Sequence, residues 1–112
     1  MAKKSETATI TAYKAFNPDF SCRDFKFEIG KTYGVDGNIQ ACENGFHACE
    51  NPLDVLDYYN LTDSDGKFNR FGRVTLSGES DRHGNKIASA RITIDAELTL
   101  PNFIKRGVEW II

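Results

Sequence analysis

An α+β fold, one domain built mainly on an antiparallel sheet of five to seven strands with one principal short helix, follows from three observations. Residues 88–100 alternate strictly, with Ala88, Ala90, Ile92, Ile94, Ala96, Leu98 and Leu100 on one side and polar residues on the other, the period-two signature of a strand with one wet face. Asn51-Pro52 opens a segment with a capping side chain followed by a residue that loses nothing at the first helical position. The chain has 112 residues, 40% of them hydrophobic, with eight Phe and four Tyr, enough for one modest core and too little for two.

The elements follow in order. After a head of seven residues expected to fray, Ala8, Ile10 and Ala12 alternate with polar residues up to Tyr13 and predict a first strand. Asn17-Pro18-Asp19 stops it. Phe25, Phe27 and Ile29 alternate again, and Val35-Asp36-Gly37-Asn38-Ile39 reads as a hairpin turn into a short strand at 39–41. The principal helix is expected at about Pro52–Tyr59, with Asp54 in its first turn, where the helix dipole favours an anion, and Leu53 and Leu56 facing the core. Residues 62–66 form a polar turn, 68–76 a strand, 77–85 a loop and 88–100 the long strand. Pro101 closes that strand, leaving Phe103, Ile104, Val108, Trp110 and Ile112 for a final strand or turn.

Charge is divided along the chain. Between Thr32 and Gly66 lie Asp36, Glu43, Glu50, Asp54, Asp57, Asp63 and Asp65 with no Lys or Arg, so this segment carries −7 while the remaining nine acids and 14 bases give +5. Such asymmetry speaks to encounter and partners rather than to fold. Glu43, Glu50, Asp54, Asp57, Asp63 and Asp65 are therefore the candidate partner-binding residues, offering phosphate-like charge to a basic groove on another protein. No apolar run approaches a membrane span and the amino-terminal residues form no signal sequence, so a cytosolic protein with no membrane partner is expected.

Cys22, Cys42, His47 and Cys49 supply four soft atoms of the kind that close a zinc site, but no Cys-x-x-Cys is present and the gap from Cys22 to Cys42 fits no common zinc motif. No metal and no cofactor are expected, and the three cysteines read as free thiols. A thiolate–imidazolium pair of His47 with Cys42 or Cys49 would be nucleophilic, but no third orienting residue accompanies it. Lys67, Arg70, Arg73, Arg82, Lys86 and Arg91 with Phe68 and Phe71 make a basic, aromatic region of the kind that binds single strands. The net charge of −2 weighs against direct nucleic-acid binding.

One enzyme class deserves comparison. Tyr13-Lys14 on an opening strand, Gly45-Phe46-His47-Ala48 ahead of a helix, Tyr58-Tyr59 on that helix and an acid on a later strand, Glu79 or Glu97, are similar in order to the layout of NAD-using ADP-ribosyltransferases. No Arg or His stands on the first strand, where that class carries its nicotinamide-ribose motif. No catalytic residues are assigned.

Several segments together resemble a family of small phage- and prophage-encoded proteins. They are Thr11-Ala-Tyr13-Lys14, Cys22-Arg23, Gly30-Lys31-Thr32-Tyr33, Cys42-Glu-Asn-Gly-Phe-His-Ala-Cys49 with Pro52-Leu53-Asp54-Val55 and Tyr58-Tyr59, Ser77-Gly78-Glu79, Ile92-Thr93-Ile94 and Glu97-Leu98. The resemblance implies a non-enzymatic binding protein that inhibits a host defence or nucleic-acid-handling protein, with anti-CRISPR inhibition of a Cas9-type RNA-guided nuclease as the best single expectation. An ADP-ribosyltransferase-like enzyme and a virion accessory protein are the alternatives.

Overall fold

The fold is that of a computed structural model, which describes residues 9–23, 25–40 and 44–111. The expected frayed head, Ala8 of the first strand, the Ala41 end of the strand expected at 39–41, the site candidates Cys42 and Glu43, and Ile112 lie outside the described residues; in the rest of that expected strand Gln40 forms an isolated bridge to Asn44.

The architecture is α+β, as the alternation requires. β1 (Ile10–Phe16), β2 (Ser21–Cys22), β3 (Phe25–Lys26), β4 (Thr32–Gly34) and β5 (Phe46–Ala48) precede a 3-10 helix (Pro52–Asp57). Then come β6 (Arg70–His83), β7 (Lys86–Leu98) and α1 (Leu100–Ile111). The main antiparallel sheet runs β1-β6-β7-β4, with β5 also on β7, and β2-β3 form a separate two-stranded hairpin. β4 meets β7 at Thr93 to Arg91, and β5 continues along the same edge at Ser89 to Ile87. Cys49, just past β5, exchanges backbone hydrogen bonds with Tyr13 at 2.7 and 2.9 Å. The segment 46–49 therefore ties β7 at one end to β1 at the other.

β1 is buried on both faces, which its alternation alone does not announce. Ala12 and Phe16 join Phe20, Phe27, Phe46, Val74, Leu76, Ile92 and Ile94 in the larger core, and Ala15 joins Cys49, Val55, Phe71 and Phe103 in a second one. The second core is roofed by the 3-10 helix and α1.

Three expectations are corrected. The segment at Pro52 is a 3-10 helix ending at Asp57 rather than an α-helix reaching Tyr59, although its start is as expected: Asn51 Oδ1 accepts from Leu53 N at 3.1 Å. Pro52 and Val55 are its buried residues, with Leu56 packed partly against the second core and Leu53 partly buried. The longer helix lies at 100–111, where a strand or turn was expected. Thr99 caps it, its Oγ1 accepting from Asn102 N at 3.3 Å. Pro101 sits in its first turn, where a missing N–H costs nothing. Leu100, Phe103 and Gly107 make an inward stripe at helical spacing. The third correction concerns the loop expected at 77–85, of which 77–83 is strand. Ser77 pairs Arg91 and Ser80 pairs Ser89, so Gly78 and Glu79 together face Ala90 as a bulge. Gly78 takes φ 78°, the left-handed region that favours glycine, and a Cβ there would lie 3.1 Å from Ala90 Cβ, a tight contact. Gly84-Asn85 then closes β6 to β7 in a two-residue turn with glycine first, at φ 62°.

Candidate functional site

A cleft of about 550 Å³ opens between β1, the segment 46–49, the β2-β3 hairpin and Tyr58-Tyr59. Each wall has a local cause. Lys14 follows Ile10 and Ala12 and precedes Phe16 in the inward series of β1, so the register that buries those apolar side chains buries its amine too, leaving it 7% exposed. Its Nζ donates to the carbonyl oxygen of His47 at 2.8 Å and stands 5.9 Å from the Phe27 ring centroid. Arg23 occupies the turn joining β2 to β3 with φ 57°, a left-handed conformation uncommon for a non-glycine residue, and this turn carries it to the cleft. Lys86 opens β7, where its Nζ lies 4.6 Å from the Tyr58 ring centroid.

The remaining walls are aromatic. Phe25 packs edge-on against Tyr33 and Phe46 at 5.2 and 5.5 Å between centroids, and Phe27 packs edge-on against Tyr33 and Phe46 at 5.2 and 6.1 Å, in the geometry that ring quadrupoles favour. Phe25 remains 40% exposed. Tyr59 Oη donates to Cys22 Sγ at 3.2 Å, and Tyr58 Oη donates to Asn85 Oδ1. Three cations and no carboxylate line the cleft among the described residues.

The field in the cleft follows from that lining. Burial lowers the Lys14 pKa, helped by the Arg23 charge and opposed by Cys22 and Cys49. Burial, then the charges of Lys14, Lys86 and Arg23, bring His47 down to about 4. Burial, with Asp54 next, pushes the Cys49 thiol up to about 11, and burial together with the bond to Cys22 raises Tyr59. At neutral pH His47 is an uncharged imidazole and Cys49 a thiol, so a thiolate–imidazolium pair between them is disfavoured from both sides.

Of the zinc candidates, Cys22, His47 and Cys49 all line the cleft. No group of three His, Cys, Asp or Glu among the described residues is arranged to hold a metal ion. The acidic candidates are divided between two places. Glu50 pairs with Arg82 at 2.7 Å and Asp57 accepts from Asn85 Nδ2 at 2.8 Å, so both reach the β6–β7 hairpin, while Asp54 and Asp57 both bear on Cys49. Asp63 instead folds its own turn, accepting from the N–H groups of Asp65 and Lys67 at 2.9 Å each.

The ADP-ribosyltransferase-like order has a spatial counterpart in part. Tyr13-Lys14, Gly45 to Ala48 and Tyr58-Tyr59 all meet at the cleft. The acids do not: Glu97 is held by Arg70 at 2.6 and 2.8 Å, Glu79 lies in the β6 bulge, and neither lines the cleft. The basic, aromatic stretch of the sequence is also dispersed. Phe71 is buried and stacked on Phe103, Arg70 and Arg82 are in ion pairs, and only Lys86 of that set reaches the cleft. Sequence reasoning missed Arg23, Phe25 and Lys86 as cleft residues. The signal it had was Lys14, a lysine at a position where β1 requires an apolar residue.

A protein-family model described as "Domain of unknown function (DUF7666)" matches residues 10–106, and the chain belongs to that family. No curated protein and no solved structure matches it.

Proposed function

We propose that this member of the DUF7666 family binds an NAD-type dinucleotide in the cleft above Lys14, in an ADP-ribosyltransferase-like layout. The observation that carries this reading is the meeting of Tyr13-Lys14, Phe46–Ala48 and Tyr58-Tyr59 around three cations with no carboxylate among the described lining residues. Arg23 and Lys86 suit the pyrophosphate, the first by its planar fork and the second as a point charge. The aromatic walls suit flat rings, and Lys14 offers an N–H donor from the floor. The proposed role is recognition: Glu79 and Glu97 lie outside the cleft wall, so no transfer step is assigned to them. Calorimetric titration with NAD, AMP and nicotinamide separately tests the reading. NAD is expected to bind one to one and more tightly than either half, and equal, unsaturable heats for all three would contradict it.

A second reading is inhibition of a host defence or nucleic-acid-handling protein with a basic groove, such as a Cas9-type nuclease. The acidic segment supports it, as do the exposed apolar residues Ile104, Val108, Trp110 and Ile111 on α1. On this reading capture of the partner from host lysate weakens steeply as salt rises, and salt-insensitive capture would count against it. No helix of the described residues is long and apolar enough to cross a membrane.

A further inference from the structure

The cleft divides its cations into two kinds. Arg23 stands exposed and Lys86 half-buried, in positions suited to holding an anion, whereas Lys14 lies on the floor, 7% exposed, with its amine between the His47 carbonyl and the Phe27 ring. Anion binding alone does not need a third cation moved out of water, where its charged form is costly.

We propose that Lys14 is a carbonyl-reactive amine that forms a reversible imine with a phosphate-bearing aldehyde held in the cleft. The proposal deepens the reading of the cleft as a site for anionic, ring-bearing ligands and rests on it. Arg23 and Lys86 take the phosphate, the aromatic walls take a ring, and Lys14 meets the carbonyl carbon. The Nζ lone pair adds to that carbon, forming a C–N bond while the carbonyl oxygen gains a proton from the amine. Loss of that hydroxyl with the second amine proton as water leaves the C=N bond, so no oxidant, reductant or further reactant is needed. Burial, which lowers the Lys14 pKa, favours the free-base form that this addition requires. The desolvation is the largest cause of that shift, and the charge of Arg23 acts in the same direction.

The test uses the intact chain with pyridoxal 5′-phosphate as an aromatic probe and ADP-ribose, whose open form carries an aldehyde, as a sugar probe. Each is trapped with borohydride and the modified lysines are identified by peptide mapping. Lys14 is expected to be labelled at least about tenfold faster than any exposed lysine, the gain of a positioned over an unpositioned amine, by one or both probes. Pyridoxine 5′-phosphate, which lacks the aldehyde, should slow the labelling by competition. Lys14→Arg should abolish the preferred adduct and Lys105→Arg, on the exposed surface of α1, should not alter it. Labelling spread over surface lysines with Lys14 spared, in the wild-type map itself, would overturn the proposal. NAD titration of the same preparation separates the two ideas: NAD binding without Lys14 trapping removes the imine alone, and trapping without NAD binding leaves the imine and removes the dinucleotide.

Discussion

Lys14 Nζ donates to the carbonyl oxygen of His47 at 2.8 Å, so a buried cation on the first strand is fastened to the strand that closes the far side of the cleft. This contact joins β1 to β5 through a side chain, one residue from the backbone bridge between Tyr13 and Cys49. Replacing Lys14 with Met removes the hydrogen bond and also the desolvated charge, two effects of opposite sign. The unfolding free energy of Lys14→Met is therefore expected to stay within about 1 kcal/mol of wild type by urea denaturation. A loss several times larger would mean that the amine is a strut of the fold.

The pH dependence of stability carries a signature of His47. Its folded pKa of about 4 lies below the 6.5 of an ordinary imidazole, so the unfolded chain binds the proton more readily. The stabilisation associated with neutral His47 is full above pH 6.5 and is lost progressively as pH falls towards 4. The groups responsible besides burial are Lys14, Lys86 and Arg23. His47→Asn is expected to flatten this part of the stability profile, and an unchanged slope between wild type and variant would contradict the assignment. His47 is half-buried rather than sealed, so the slope will be gentler than for a fully enclosed histidine.

Phe103 is fully buried and stacks on Phe71 with ring centroids 4.3 Å apart. Phe103→Ala empties the centre of the second core and should cost about 3–5 kcal/mol in thermal or chemical unfolding. The same change at exposed Phe68 should cost far less, since that side chain is 65% exposed.

Gly107 marks where α1 crosses the 3-10 helix. A Cβ there would lie 2.4 Å from Leu53 Cγ. Alanine gains up to about 1 kcal/mol of helix propensity, against about 1–3 kcal/mol for overpacking. Gly107→Ala is thus expected to destabilise the protein, and Gly107→Ala with Leu53→Ala to recover part of the loss. Additive costs in the double variant would show that the two residues do not meet.

What was legible in the sequence depended on how local its cause was. The alternation of β7 and the cap at Asn51 are written in adjacent residues: the cap is where expected, and the strand expected at 88–100 runs from Lys86 to Leu98. The carboxy-terminal helix was obscured because Pro101 ends a strand as readily as it begins a helix, and Thr99 completes an alternating run while also capping the next element. Ser77-Gly78 resembles a loop because a bulge needs the same left-handed glycine that a turn does. The cleft was the least legible part, since Arg23, Phe46 and Lys86 become neighbours only when β5 pairs with β7 and the β2-β3 hairpin folds over them. Where the acids of the 32–66 segment go was not legible either: Glu50 and Asp57 reach a hairpin while Asp63 builds its own turn, and pairing of that kind is not encoded in spacing.

Recognition of an NAD-type dinucleotide by the cations and rings of the cleft, as proposed, is read out by calorimetric titration of NAD into wild type and into Arg23→Gln/Lys86→Gln. Both substitutions fall on the cleft rim away from the cores, so the double variant should melt like wild type. One-to-one saturable binding to wild type is expected, and at least about tenfold weaker binding to the variant, the loss that follows when charge-assisted contacts to phosphate are removed. Absence of saturable binding to folded wild type, or equal affinity in the two proteins, would contradict it.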